Sequence, residues 1–186
     1  MIWVLVAIVI ILVVLLAVLL LRSRRSQGLQ RDFGPEYERA VEERGDRRQA
    51  EAELAERRDR RASLDVRPLE PGARERYAER WQVAQRRFVD QPAEAVGEAD
   101  ALVSAVMSER GYPVSEEFDQ RAADISVDHP VVVEHYREAH RISLRTTAGE
   151  AGTEDLRQAM VHFRALFDEL LGHEEREPTH ATKETS

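Results

Sequence analysis

Histidines and acids that could bind a metal or shuttle a proton gather in one stretch of this sequence: His129, Glu134, His135, Glu138 and His140, with His162 further on. Neutral imidazole and carboxylate both ligate transition metals. Ligands that share a helix face sit three or four positions apart. His135 and Glu138 meet that spacing, whereas His135 and His140 are five apart and diverge by about 140° around the helix. The candidate metal set is therefore His135, Glu138 and His162. The plainer alternative is that these histidines flank apolar helix faces, where imidazole is common. There is no His-Glu-x-x-His, and the paired Glu-x-x-His of a di-iron bundle is missing.

Other chemistry is thinner. Glu116/Glu117 and Glu154/Asp155 pair carboxylates, but each pair falls in the first turn of a predicted helix, where compensation of the helix dipole accounts for it. Gly149 and Gly152 lack the Lys-Ser/Thr continuation of a phosphate loop, and no Gly-x-Ser-x-Gly elbow occurs. The absence of cysteine removes thiolate nucleophiles, disulfides and Cys-based metal sites together. No cofactor and no catalytic residue is assigned. Residues 66–186 hold most of the acidity behind the net charge of −8, which argues against nucleic acid as a partner, since that affinity rests on Lys and Arg.

The elements that must position these groups read as helices. Tyr77, Trp81, Ala84 and Phe88 recur at intervals of four, three and four, predicting a helix over about 71–89 with a buried face; as a partner groove the stripe is the less economical reading. A second helix opens at Pro92, carries Val96, Ala99, Leu102, Val103 and Val106 inward and stops at Gly111. A short one covers about 115–125, with Ser115 as its cap and Phe118, Ala122 and Ile125 inward. The next begins at Asp128-His129-Pro130 and fades near Gly149. The last has Thr153 as cap, Leu156, Met160, Phe163, Phe167 and Leu170 at helical period and Gly172 as stop, which predicts a central position. No stretch has strand alternation.

Upstream, residues 35–65 predict one long charged helix serving as a spacer, opened at Pro35, with Glu43/Arg47, Glu53/Arg57 and Glu56/Arg60 at the favourable i,i+4 spacing and Gly45 weakening its middle. Residues 22–34 read as a juxtamembrane linker, 66–172 as the helical domain and 173–186 as a disordered tail. Residues 2–21 form an uninterrupted apolar run, enough at about 1.5 Å per residue to span a bilayer, and predict a single transmembrane helix. Arg22, Arg24 and Arg25 follow it, so the positive-inside rule expects the N-terminus outside and the C-terminal domain cytoplasmic at the inner (plasma) membrane, with Trp3 at the opposite interface. The span has no glycine and no close pair of small residues, so it reads as a tether.

Phe33-Gly-Pro-Glu-Tyr37, Asp65-x-Arg-Pro68, Arg121-Ala-Ala-Asp-Ile-Ser-Val-Asp-His-Pro130 and Thr153-Glu-Asp-Leu-Arg-Gln-Ala-Met160 resemble a family of uncharacterised bacterial single-pass membrane-anchored proteins with a small helical soluble domain. The resemblance covers nearly the whole chain and implies that same plan, with no activity, cofactor or substrate attached. The expected fold is thus all-α: one N-terminal transmembrane helix, a long charged helix and a bundle of about five helices. The expected role is a membrane-tethered interaction or scaffold module whose partners are the lipid bilayer and another protein. The alternative is a metal-dependent enzyme or metal sensor built on the histidines and acids.

Overall fold

The computed structural model describes residues 26–114 and 117–172, together with Val13 and Leu16. Its described residues form helices and no strand. Residues 26–33 belong to α1. There follow α2 (Pro35–Arg44), α3 (Arg47–Ala62), α4 (Pro71–Arg87), α5 (Pro92–Glu109), α6 (Phe118–Asp128), α7 (Val133–Thr147) and α8 (Thr153–Leu170). The chain divides into two compact units, Met1–Arg61 and Ala62–Ser186.

In the first unit the charged stretch is two helices. Gly45 adopts φ 64°, a left-handed conformation that closes α2, and its N–H bonds back to Val41 O at 3.0 Å. Asp46 then opens α3, its Oδ1 accepting from the Arg48 and Gln49 N–H groups at 2.6 and 3.3 Å. A small apolar cluster of Leu29, Phe33, Tyr37, Ala40, Ala50, Leu54 and Ala55 is buried. Polar side chains bind the same helices: Ser26 Oγ and Tyr37 OH both donate to Glu51 Oε1, at 2.6 and 2.8 Å. Glu36, only 2 % exposed, receives Arg57 Nη1 at 2.7 Å. Arg57 also reaches Glu53, which in turn meets Arg44.

The second unit is an apolar bundle with α8 at its centre, packed by α4, α5 and α7, while α6 lies against α7. Leu156, Ala159, Met160, Phe163, Leu166, Phe167 and Leu170 are its buried residues. Trp81 of α4 stacks on Phe167, ring centroids 4.6 Å apart. The segment before α4 runs alongside the end of α5: Arg67 N–H donates to Arg110 O at 2.9 Å, and a Cβ at Gly111 would lie 2.2 Å from Asp65 O. Only glycine fits that approach at φ 94°.

The expected fold class is corrected. No helix of the described residues is long and apolar enough to cross a membrane, and the N-terminal transmembrane helix is not supported. The longest of them, α5 and α8, have 18 residues each and carry charges along their outer faces, as in Glu154, Arg157, Arg164 and Asp168. The predicted span, apart from Val13 and Leu16, lies outside the described residues, as do Trp3, Arg22, Arg24, Arg25, Ser115, Glu116 and the tail 173–186. The single long charged helix is replaced by α2 and α3, because Gly45 terminates one helix where a non-glycine residue would have continued it. Leu29 and Phe33, in the stretch read as a linker, are buried. Of the expected i,i+4 pairs Glu53–Arg57 forms, while Glu43 takes Arg39 and Arg47 takes Glu51. Three helix starts also shift: the helix expected over about 115–125 begins at Phe118, with Glu117 and not Ser115 at its N-cap. α7 begins at Val133 after the turn that contains Pro130, and Gly152, not Thr153, caps α8, its N–H donating to Asp155 Oδ2 at 3.0 Å.

Candidate functional site

α7 turns Val133, Tyr136, Ala139 and Ile142 into the core, and α8 turns in Phe163 and its helical repeats. His135 and His162 each sit one position before a buried aromatic, so both rings stand at the margin of the helix interface. There they meet: the two Nδ1 atoms are 2.9 Å apart and the ring centroids 5.1 Å, with planes tilted by 30°. One Nδ1 must donate and the other accept, so the contact holds one proton between two rings. Burial, then the neighbouring His135, pushes His162 below the ordinary imidazole range, against the opposing pull of Glu138.

Glu138, the third member of the predicted set, faces another partner. Arg141 grips it with both guanidinium arms, Nε reaching Oε2 at 2.9 Å and Nη2 reaching Oε1, and holds its carboxyl below the usual carboxylate range. Among the described residues no group of three or more His, Cys, Asp or Glu side chains is placed to hold a metal ion.

The other histidines separate. His129 is buried in the turn between α6 and α7, where its Nδ1 lies 2.9 Å from Glu169 Oε1 of α8. His140 stacks flat on Phe118, with centroids 3.7 Å apart and an interplanar angle of 6°. Burial lowers its affinity for a proton, while the charge of Asp100 works against that. Glu134 points to the exposed side and pairs with Arg137.

Around His140 the fold assembles a cluster that the sequence spacing does not announce. Asp100 of α5 is half-buried, and burial pushes its carboxyl up despite the charges of His140 and Arg121. The Nε of Arg121 lies 3.3 Å from the hydroxyl of fully buried Tyr136, whose own proton is held more tightly because of burial. The one local sign is that Asp100 directly follows inward-facing Ala99. Its partners lie on α6 and α7, more than 20 positions away, and only the packing brings them in. Beside this cluster a shallow basin of about 460 Å³ is lined by Phe118, His140 and Leu144 with charged Glu117, Asp119, Arg137 and Arg141.

Glu154 and Asp155 lie in the first turn of α8. Glu154, gripped by Arg157 and Gln158, is held down to about 2, and Asp155 is lowered by the Gly152 N–H and by Arg145. Glu117 precedes α6 at its N-cap. Tyr77 and Trp81 of the aromatic stripe belong to the core, and Phe88 only partly so. On the far side of Phe88 a second trough opens between α4 and α8, with a volume of about 170 Å³. Phe88, Met160 and Val161 form its apolar lining and Gln85, Arg157 and Arg164 its polar edge. No family model, no curated protein and no solved structure matches the chain.

Proposed function

We propose that the chain is a helical interaction module whose second unit receives an acid-flanked amphipathic helix of another protein in the α4–α8 trough. The observation that carries the reading is the pairing of an apolar lining (Phe88, Met160, Val161) with an arginine edge (Arg157, Arg164) in a unit whose sequence is acidic overall. Val161 is 49 % exposed, and Val83 on the neighbouring helix 41 %. Grooves of this kind bind the apolar stripe of an incoming helix and use flanking charge to select it. Among the described residues Arg157 and Arg164 are engaged in exposed pairs with Glu154 and Asp168 on their own helix. Exposed pairs of this kind contribute little, so a partner's carboxylates exchange with them at little cost.

A photoreactive side chain placed at Val161 of the full chain tests this in cells, with Val131, 69 % exposed on the α6–α7 turn, as the comparison site. A discrete adduct from position 161, weak or absent from 131 and lost in the Arg157→Glu/Arg164→Glu double variant, is the expected result. Equal adduct yield from the two positions, or an adduct indifferent to the charge reversals, sinks the proposal.

A further inference from the structure

We propose that His135 and His162 form a two-imidazole seat for a divalent transition-metal ion of the copper, nickel and zinc class at the margin of the α7–α8 interface. The seat is made by the fold, since the two residues are 27 positions apart and sit on different helices. Their Nδ1 atoms face one another at 2.9 Å. With metal–nitrogen bonds of about 2.0 Å, that separation subtends about 90° at the ion, the cis angle of square-planar Cu(II) and Ni(II). The rings, with centroids 5.1 Å apart, face each other nearly head-on in the metal-free pair, so both must turn about χ2 to bring their lone pairs onto one ion. A tetrahedral ion needs the nitrogens a few tenths of an ångström further apart, within reach of a small χ rotation by two half-buried rings, so zinc takes the weaker place.

The proton balance is simple. In the metal-free pair the donor ring carries hydrogen on Nδ1. For the ion to take both Nδ1 lone pairs, that ring moves its proton to Nε2, and the neutral pair releases none. Water fills the remaining positions of the ion. Glu138 supplies charge and not a ligand, because Arg141 occupies both of its oxygens. Its carboxylate nonetheless acts on His162, and the charges of Arg141 and Arg145 lie behind it. Acid works against the ion, since protons compete for the same nitrogens.

The test uses the full chain with NiCl2, CuCl2 or ZnCl2 added alone. An ion that binds the folded state raises the thermal midpoint in a saturable way, by about 5 °C at ten times its dissociation constant. The rise should be reversed by chelator and be larger for copper and nickel than for zinc. It should vanish in His135→Gln and in His162→Gln, and persist in His140→Gln and in a His173→Gln/His180→Gln variant. Should the first two variants misfold, the unaltered chain still decides the matter, because substoichiometric paramagnetic Cu2+ should broaden the imidazole NMR signals of His135 and His162 before those of the other histidines. A midpoint that ignores all three ions, a rise that survives loss of either histidine, or broadening that begins at His173 or His180 overturns the proposal.

Discussion

The two units of this chain solve the burial problem in opposite ways. The second packs Trp81, Tyr136, Phe163 and Phe167 among Leu, Ile, Val and Met from five helices, and its cohesion is non-directional and roughly proportional to apolar area. The first has only a few apolar side chains in its centre and completes itself with charge, in which buried Glu36, half-buried Arg57 and Glu53, and exposed Arg44 are joined end to end. An apolar core degrades by degrees as atoms are removed. A buried ion network fails when one partner leaves, because the remaining charge is then desolvated without compensation.

Two substitutions break that contrast most forcefully. Phe163→Ala empties a fully buried position at the centre of the second unit and should lower stability by about 3–5 kcal/mol, seen in hydrogen exchange across α5, α7 and α8. Were its cost under about 1 kcal/mol, α8 would not be the centre of that core. In the first unit Glu36→Ala should cost about 1–3 kcal/mol by taking the buried carboxylate from Arg57, whose side chain is only 12 % exposed and which keeps Glu53 as a partner. The Glu36→Leu/Arg57→Met double variant should recover most of the loss, measured as a denaturation double-mutant cycle. A double variant as unstable as the sum of its parts would show that the ion pair itself, and not its imbalance, holds the unit.

Much of the second unit is legible in the sequence, since its signals are local. Tyr77, Trp81 and Ala84 recur at helical period and are buried, Pro92 opens α5, and Gly111 and Gly172 adopt the positive φ of helix stops. The first unit is largely illegible for the converse reason. Glu36 reads as one more surface acid in a charged run, because the arginine that buries it lies 21 positions downstream. Gly45 reads as a weak point in one helix, whereas an αL cap followed by the capping acid Asp46 makes it a junction between two. The candidate site divides similarly. His135 and His162 are readable as residue types, their contact is not, and Asp100 meets Arg121 and His140 only through the packing of α5 with α6 and α7.

Glycine sharpens the comparison at smaller amplitude. Gly111→Ala combines a left-handed φ with a Cβ driven against the Asp65 carbonyl, so the segment before α4 must move; a loss of about 2–3 kcal/mol is expected. Gly45→Ala has the same sign of φ but open space around the added carbon, and the backbone term alone should cost about 1 kcal/mol. Chemical denaturation of the two variants separates the effects. Equal losses would mean that close packing at Gly111 is relieved without cost.

Acid should separate the units most gently, through the pH at which each begins to weaken. In the second unit burial lowers the proton affinity of His140 and His162 from the ordinary 6.5. Below that pH the unfolded chain binds protons the folded chain refuses, so stability falls with pH until the folded rings themselves protonate. Asp100 acts in the opposite sense, for its raised carboxyl favours the folded state as pH falls toward 3.8. In the first unit burial works to raise Glu51 and Glu53, but hydrogen bonds from Ser26, Arg47 and Tyr37 to the one and from Arg44 and Arg57 to the other hold both below 4.5. Their contribution is complete above 4.5 and disappears only as pH drops through their folded values. Between pH 6.5 and 4.5, therefore, hydrogen exchange should show α7 and α8 loosening while α2 and α3 stay protected, and His140→Gln should flatten that slope. If α2 and α3 loosen first in that interval, the carboxylates of the first unit are not held down by their arginine, tyrosine and serine partners, and the contrast between the two units fails at its polar end.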